Sequence, residues 1–274
     1  MEKISELQKI RGLIRKYISQ LIRSGQDLDN EKILSKAHNE VCLTHRGIPV
    51  PPIRLRDMVR RGATLPEDFI LEGAQAYDKI RKGLVEAGAE FNADSRIMEF
   101  GVGCGRIARH FFYDGVNRFI GTDVDYELID WCNENLASLD SINFLRNGYV
   151  PPLPLESESI SLCYSISVFT HMDIENQKVW AGELARVIKP DGLLYISFHE
   201  RSEKEIPAGV KVRKRVDPEH QRSWFGKEGA PDVYFGTHNT KEYFLNLFSQ
   251  NFEPINYYNN HIRNIQSAFV LRRK

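Results

Sequence analysis

RIMEFGVGCGRIAR, at residues 96–109, is the stretch that decides the fold. A short apolar run contains Glu99 near its end, and three glycines at alternating positions, Gly101, Gly103 and Gly105, separate that run from a helical pattern. Glycine adopts backbone angles that other residues avoid, and it lets the backbone approach a ligand closely. The first N–H groups of the following helix have no partner within that helix. The sequence therefore predicts a ligand-binding turn between a strand and a helix.

From residue 96 to residue 198, short apolar runs alternate with helical stretches, which is typical of a parallel sheet covered by helices on both faces. The last two apolar runs, FEPINYY at 252–258 and IQSAFVLR at 265–272, are separated by too few residues for a helix, so they predict an antiparallel hairpin at the end of the sheet. The predicted parallel strands are RIMEF, RFIGT, INFL, ISLCYS and LLYISF, with helices over 105–112, 126–137 and 175–188.

The first 90 residues have a different pattern. Apolar residues at three- and four-residue spacing predict an amphipathic helix over 3–23, which we expect to pack on the domain or on a second subunit, or to cover the site as a lid. Four prolines make residues 47–66 a connector, and a second helix is predicted over 66–89. We therefore expect a helical segment with a proline-rich connector at 1–90 and a cofactor-binding domain at 91–274.

The composition excludes some classes of protein. The 274 residues include 37 Lys and Arg and 37 Asp and Glu, and this zero net charge argues against dedicated binding to nucleic acid or to anionic membranes. No apolar run approaches the roughly 20 residues that span a bilayer, and the first residues lack the apolar stretch of a signal peptide, so we expect a cytoplasmic protein. The 4 cysteines form no CxxC pair and no cluster with histidine, so we expect reduced thiols and no metal site.

The spacing of the glycines distinguishes two classes of cofactor. A dinucleotide-binding turn has the pattern GxGxxG and faces a pyrophosphate, whereas here Arg106 occupies the position of the third glycine. Glu99 beside the turn would repel a pyrophosphate but suits a cationic amino-acid group. Asp123 ends the next predicted strand, where a carboxylate can accept hydrogen bonds from the hydroxyl groups of a ribose. An adenosine that carries an amino-acid tail satisfies both carboxylates.

These motifs resemble those of the class I S-adenosylmethionine-dependent methyltransferases. EFGVGCGR is similar to the first motif of that superfamily, GTDVD to its acidic ribose-binding motif, and LARVIKPDGLLYIS to the segment that leads into the fifth strand. Residues 48–198 more narrowly resemble a bacterial subgroup often associated with glycan and natural-product clusters. The resemblance implies a Rossmann-like, seven-stranded, mostly parallel sheet with an antiparallel C-terminal hairpin, and it implies S-adenosyl-L-methionine as the cofactor.

The resemblance also implies roles for individual residues. Glu99 would act on the methionyl end of the cofactor by way of the turn, and the three glycine backbones would approach the cofactor closely. Asp123 would bind the ribose hydroxyls, Val124 would pack on the adenine, and Asn147 and Gly148 would contact the adenine edge. Asn147 stands where the superfamily often has Asp, so its electrostatic contribution is weaker. Two simpler interpretations stay open, namely Asp123 as a helix N-cap and Glu99 as a solvated strand end.

Three histidines are candidates for a general base, because an unperturbed pKa near 6.5 suits proton removal at neutral pH. His171 follows the fourth predicted strand, His199 follows the fifth, and His238 lies in a later loop. Each also has an alternative interpretation as a structural histidine that makes hydrogen bonds. Arg106 and Arg109 are expected to anchor the turn through salt bridges rather than to bind the substrate.

Residues 200–236 have little periodicity, and we interpret them as a substrate cap inserted after the fifth strand. They carry the basic run KVRKR at 211–215 and the aromatic pair Trp224 and Phe225. The basic run is either a solvated face or a site for a phosphorylated or nucleotide-linked substrate.

The favoured hypothesis is a methyltransferase that acts on oxygen, or on nitrogen, of a sugar-like or other small-molecule acceptor, with a homodimer through the N-terminal helix as one assembly. One alternative is a nicotinamide-dependent oxidoreductase, against which Glu99 and Arg106 argue. The other is a non-catalytic S-adenosylmethionine-binding protein. Nucleic acid is disfavoured as a substrate, because the few Lys and Arg residues of the basic run lie beside an acidic central domain.

Overall fold

A computed structural model describes residues 44–60, 65–137, 141–215 and 234–274. The predicted helix at 3–23, and with it the homodimer expected through that helix, lies outside the described residues, as do Cys42, Trp224 and Phe225. The chain divides into two compact units between Phe69 and Ile70. The organisation into a segment at 1–90 and a domain at 91–274 stays a prediction.

The first unit contains a small hairpin and a short helix. Strands β1 (Thr44–His45) and β2 (Ile48–Pro49) pair in antiparallel orientation, and helix α1 (Ile53–Val59) follows them. Helix α2 (Pro66–Glu86), most of which belongs to the second unit, begins at the last proline of the connector and agrees with the helix predicted over 66–89. Proline is well tolerated at a first helical position, because the N–H group that it lacks has no partner there.

The second unit is built on a sheet whose inner strands are short and buried. Its strands are β3 (Ile97–Phe100), β4 (Phe119–Asp123), β5 (Ile142–Arg146), β6 (Ile160–Ser165), β7 (Ile188–Glu200), β8 (Val210–Arg215), β9 (Tyr234–Asn239), β10 (Phe252–Ile262) and β11 (Gln266–Arg273). Every residue of β3 and β4 is buried, which is typical of a parallel sheet that is covered on both faces.

Seven strands form the main path of the sheet, in the order β10-β11-β7-β6-β3-β4-β5. The five strands from β7 to β5 on this path are mutually parallel, and β11 lies antiparallel between β7 and β10. The predicted seven-stranded, mostly parallel sheet with an antiparallel C-terminal hairpin is therefore confirmed. Because parallel strands end at one edge, the residues that follow β3, β4, β6 and β7 meet at that edge.

Helices cover the sheet where the sequence predicted them, with one addition. They are α3 (Ala108–Tyr113), α4 (Tyr126–Asn135), α5 (Ile174–Val187) and α6 (Lys241–Phe248), with a 3₁₀ turn at Phe169–His171. The sequence did not predict α6, whose N-cap Thr240 accepts a hydrogen bond from the backbone N–H of Tyr243. Among the described helices, none is long and apolar enough to cross a membrane.

Strand β8 and the first half of β9 lie within the region interpreted as a substrate cap. They pair with each other in antiparallel orientation, and β9 joins the end of β7 in parallel orientation. The run KVRKR gave no strand signal, because charged residues at both alternating faces hide the two-residue period. The predicted cap is thus partly an extension of the sheet.

Aromatic packing of two helices against the sheet forms one continuous core cluster in the second unit. Trp180 of α5 is 1% exposed, and its ring centroid lies 4.7 Å from that of Phe100 on β3. On β7, Phe198 stacks on Phe244 of α6 with ring centroids 4.2 Å apart. Burial of one such ring contributes roughly 1.5–3 kcal/mol to the free energy of unfolding. The three described cysteines, Cys104, Cys132 and Cys163, are buried free thiols, as predicted.

The third glycine of the decisive stretch allows α4 to pack closely against the turn. Gly105 has a φ of +72°, and a Cβ atom placed on it would lie 2.3 Å from Cδ1 of Leu136, just after α4. Gly115 has a similar φ of +83° and no atom within 4 Å of such a Cβ. The two glycines therefore separate the cost of the left-handed backbone from the cost of crowding.

We predict that Gly105→Ala destabilises the protein by about 2–5 kcal/mol and Gly115→Ala by about 1–2 kcal/mol. A left-handed backbone costs an alanine roughly 1–2 kcal/mol, and overpacking adds about 1–3 kcal/mol at Gly105 only. Urea unfolding of both variants measures the difference. Equal destabilisation would mean that Leu136 moves aside without cost.

Candidate functional site

The turn at residues 101–105, here called the glycine turn, is held against the end of β4. The backbone N–H groups of Gly101 and Val102 donate to the carbonyl oxygen of Thr122 at 2.8 and 2.9 Å. Gly101, Gly103 and Gly105 all have positive φ values, at 87°, 55° and 72°. The turn therefore requires the glycines that the sequence places there.

Asp123 lies beside the glycine turn at the end of β4, with only 8% of its surface exposed. One carboxylate oxygen accepts a hydrogen bond from the N–H of Gly103 at 2.8 Å, and the other accepts from the N–H of Asp125 at 3.0 Å. Burial raises the pKa of Asp123 to about 6, against these two hydrogen bonds, which lower it. The interpretation of Asp123 as a helix N-cap is wrong, because Asp125 caps α4.

Glu99 lies underneath the glycine turn and is 3% exposed, so its interpretation as a solvated strand end is wrong. The hydroxyl group of Tyr164 donates to its carboxylate at 2.8 Å. Burial raises the pKa of Glu99 to about 8, although the hydrogen bond from Tyr164 and the charge of Arg106 act in the opposite direction. The carboxyl group of Glu99 is therefore a buried group beside the glycine turn and not an exposed one.

The two arginines of the stretch are buried beneath the turn. Arg106 is 9% exposed, and Arg109 is fully buried and donates from Nε to the carbonyl oxygen of Gly105 at 3.2 Å. Burial lowers the pKa of both groups, and the charges of Glu99 and Glu72 oppose that shift at Arg106. This placement agrees with the predicted anchoring, although the hydrogen bond of Arg109 goes to backbone.

Asn147 follows β5 and extends the same edge of the sheet. Its backbone N–H donates to the carbonyl oxygen of Asp123 at 3.0 Å, and its side-chain Nδ2 donates to the carbonyl oxygen of Gly148 at 2.7 Å. Its Oδ1 atom is buried and accepts no hydrogen bond from the described residues. A buried acceptor without a donor is costly, so this atom is suited to an amino group of a ligand. Val124 is half-buried and Gly148 is exposed beside it.

The geometry of this edge fits an adenosine with an amino-acid tail. Asp123 retains lone pairs for two hydroxyl groups, since each oxygen accepts one hydrogen bond within the chain. Asn147 offers the unsatisfied acceptor described above. A Cβ atom on Gly101 would lie 2.2 Å from Cγ2 of Val168, so the turn has no room for a larger residue there.

The three candidate histidines line one pocket of about 400 Å³ at the same edge of the sheet. His171 ends the 3₁₀ turn after β6, and His199 and His238 are register partners on β7 and β9. The rings of His199 and His238 have centroids 5.2 Å apart. We call this cavity the histidine pocket. The sequence predicted the three residues separately, and the fold brings them together.

The histidine pocket also contains residues that the sequence analysis missed. Asn260 reaches it from the end of β10, Asn264 and Ile265 reach it from the turn between β10 and β11, and Glu200 and Arg201 follow His199. The sequence analysis missed the residues of this hairpin because β11 pairs with β7, which is far away in the sequence. This pairing brings the hairpin to the pocket, and no local sequence pattern indicates it. In the described part of the chain, no group of acidic, cysteine and histidine side chains is arranged to hold a metal ion.

A polar cluster supports the wall between the glycine turn and the histidine pocket. The backbone N–H of Ser167 donates to the hydroxyl of Ser197 at 2.9 Å, and that hydroxyl donates to Oε1 of Gln266 at 2.7 Å. Gln266 in turn donates to the hydroxyl of Ser167 at 2.7 Å. Val168, next in the chain, contacts Gly101, while Thr170 and His171 line the pocket. The two sites are therefore separated by one short segment.

Comparison with known proteins agrees with this geometry. Residues 98–196 match the family model described as "Methyltransferase domain". The chain is similar to an S-adenosylmethionine-dependent methyltransferase of Methanosarcina mazei, with a TM-score of 0.52 and 16% identity over 69% of this chain and 96% of that chain. A protein of Pyrococcus horikoshii OT3 has a TM-score of 0.53 and 15% identity over 73% of this chain and 91% of that chain. At these identities the structural similarity shows the fold alone.

The family match contains the parts of the site that distinguish the two cofactor classes. It includes Glu99, the glycine turn, Asp123 and Asn147, and thus covers the edge that fits an adenosine with an amino-acid tail. The protein is accordingly an enzyme, its cofactor is S-adenosyl-L-methionine, and the oxidoreductase hypothesis is set aside. Residues 98–196 of this chain thus form a methyltransferase domain.

Proposed function

We propose that this methyltransferase acts on an oxygen atom of a small, sugar-like acceptor bound in the histidine pocket. The observation that carries the proposal is the convergence of His171, His199 and His238 on one cavity at the carboxyl edge of the sheet. Asparagine, threonine and charged side chains form most of the remaining lining, which suits a ligand with several hydroxyl groups. A small-molecule acceptor is consistent with the volume of about 400 Å³.

The cofactor would lie along the edge formed by the glycine turn, β4 and β5. The backbones of Gly101, Gly103 and Gly105 would allow its close approach, and Glu99 would stabilise its cationic methionyl end by way of the turn, because a positive charge nearby favours the ionised carboxylate. Asp123 accepts hydrogen bonds from the ribose hydroxyls. Val124 packs on the adenine, while Asn147 and Gly148 contact the adenine edge, with Oδ1 of Asn147 accepting a hydrogen bond from the amino group.

The chain's own task in the reaction is to position the acceptor and to remove its proton. The bound cofactor supplies a methyl group that is already activated, so no covalent enzyme intermediate is needed. A hydroxyl group becomes a good nucleophile only as it loses its proton, and a positioned base assists this loss. The short segment that contains Val168 separates the histidine pocket from the glycine turn, so an acceptor bound in the pocket would lie beside the cofactor. Binding the two molecules side by side lowers the entropic cost of bringing them together.

Within this proposal, His199 is the general base. Its Nδ1 atom lies 3.3 Å from the carbonyl oxygen of Ile265, and an N–H on Nδ1 that donates to this carbonyl leaves Nε2 able to accept a proton. A hydrogen bond of this kind also fixes the orientation of the ring. His171 and His238 would then bind and orient the acceptor.

The first prediction of the proposed function concerns the ribose contact. Asp123→Asn should weaken the binding of S-adenosylhomocysteine about 10- to 100-fold, because hydrogen bonds to a charged group contribute roughly 1.5–3 kcal/mol. Asp125→Asn is the matched control, since asparagine caps a helix about as well as aspartate and this side chain already serves α4. Calorimetric titration measures both affinities. Undiminished binding by Asp123→Asn, or none by the wild type, contradicts the proposed cofactor site.

The second prediction concerns the pH dependence of stability. The folded protein holds the proton of Glu99 up to about pH 8, whereas the unfolded chain releases it near the ordinary pKa of 4.5. Because only the unfolded chain is ionised between these two values, the free energy of unfolding falls as the pH rises from 4.5 to 8. Glu99→Gln should therefore raise the melting temperature relative to the wild type, by a difference that grows from pH 4.5 to pH 8 and is constant above. Calorimetric scans across that range measure it.

Glu156→Gln is the control for this experiment, because Glu156 is exposed. It should leave the pH dependence of the melting temperature unchanged. If Glu99→Gln also leaves the pH dependence of the melting temperature unchanged, burial does not raise the pKa of Glu99 in the folded protein.

The third prediction concerns the base. With a panel of sugars and sugar derivatives and labelled cofactor, His199→Gln should lower kcat by about 10²–10⁴-fold. His171→Gln and His238→Gln should mainly raise KM for the acceptor, and all three variants should bind S-adenosylhomocysteine as the wild type does. Full kcat in His199→Gln would exclude this residue as the base.

A further inference from the structure

Strands β7, β9 and β8 place a row of basic side chains across the wall of the histidine pocket. His199 on β7 is the register partner of His238 on β9, and His238 is the register partner of Lys211 on β8. Directly opposite residues on neighbouring strands project to the same face, with Cβ atoms about 4.5–5.5 Å apart. His199 and His238 line the pocket, and Lys211 projects to the same face, one strand further out.

The two-residue period of β8 adds Arg213 to this face. Arg213 pairs with Gly236, which lines the pocket, and it lies two residues from Lys211. Val212 projects to the other side, where its partner Thr237 is fully buried and donates a hydrogen bond to the carbonyl oxygen of Met172. The exposure of the side chains agrees, since Lys211 and Arg213 are exposed and Val212 is half-buried.

A third cation, Arg201, lines the pocket itself, two residues beyond His199. Two carboxylates oppose these charges. Glu200 also lines the pocket and accepts a hydrogen bond from the hydroxyl group of Tyr257. Glu205 accepts hydrogen bonds from the backbone and hydroxyl of Ser202, and the charges of Arg201 and His238 act on it.

The two carboxylates therefore have hydrogen-bond donors within the chain. In the described residues, neither Lys211 nor Arg213 is paired with a carboxylate in a salt bridge. The pocket and the strand face beside it thus present three cations, Arg201 in the lining and Lys211 and Arg213 on β8, near two carboxylates that already accept hydrogen bonds from the chain. This arrangement is suited to an anionic group on a ligand.

We propose that the acceptor carries an anionic group, a phosphoryl or a carboxylate, that is bound by Arg201, Lys211 and Arg213. This inference rests on the proposed function, because it takes the histidine pocket as the acceptor site. The anionic group anchors one end of the molecule at β8 and β9, which leaves a hydroxyl group free to reach the histidines. Only the part of the basic run that faces the pocket takes part.

Binding of small anions to the full chain, saturated with S-adenosylhomocysteine, tests the inference. Inorganic phosphate and glucuronate are titrated separately at constant ionic strength into the wild type and into Lys211→Gln/Arg213→Gln. The double variant should bind the preferred anion at least tenfold more weakly. Tighter binding of phosphate by the wild type assigns a phosphoryl group, and tighter binding of glucuronate assigns a carboxylate.

The matched control is Lys82→Gln/Lys189→Gln, which removes the same charge from α2 and from the amino end of β7. It should bind both anions as the wild type does. Equal affinities in all three proteins, equal losses in both double variants, or no binding of either anion by the wild type would overturn the inference. Loss of S-adenosylhomocysteine binding by the wild type would instead contradict the proposed function, so the two failures are distinguishable.

Discussion

The hydrogen bonds that join the glycine turn to the end of β4 are the constraint on which the rest of the site depends. Two N–H groups of the turn donate to the carbonyl oxygen of Thr122, and a third donates to the carboxylate of Asp123. These bonds fix the turn to the strand that carries Asp123, the carboxylate proposed to bind the ribose. They can form only because β3 and β4 are parallel neighbours whose carboxyl ends lie side by side. The position of one cofactor contact therefore determines the position of the next.

Burial of carboxylates at this edge is unfavourable for the isolated fold and useful for binding. Glu99 and Asp123 are both shielded from solvent, and burial raises the pKa of each. A ligand that brings positive charge and hydroxyl donors replaces part of the lost hydration. Without such a ligand, the buried carboxyl groups lack part of the hydration that they have in the unfolded chain, and this lowers the stability of the fold. Such a loss of stability is expected at a site that is built to bind a ligand.

The sequence was most informative where one short segment determines the structure. The glycine spacing, the acidic residue at the end of β4 and the alternation of strands and helices predicted the sheet and the cofactor edge, because each depends on local backbone geometry. The strands β8 and β9, helix α6 and the pocket asparagines of the β10–β11 hairpin were missed. Their places depend on pairing between segments far apart in the chain, and charged residues on β8 hide its two-residue period. The convergence of the three histidines has the same origin, since no local signal relates β6, β7 and β9.

The turn between β10 and β11 has a consequence for how such an enzyme changes during evolution. Asn260, Asn264 and Ile265 form one wall of the histidine pocket, yet they belong to a hairpin that contributes none of the residues assigned to the cofactor. Exposed hairpin turns tolerate insertion and replacement better than the strands that they join. New acceptor preferences can therefore arise by remodelling this hairpin while the cofactor edge is inherited unchanged.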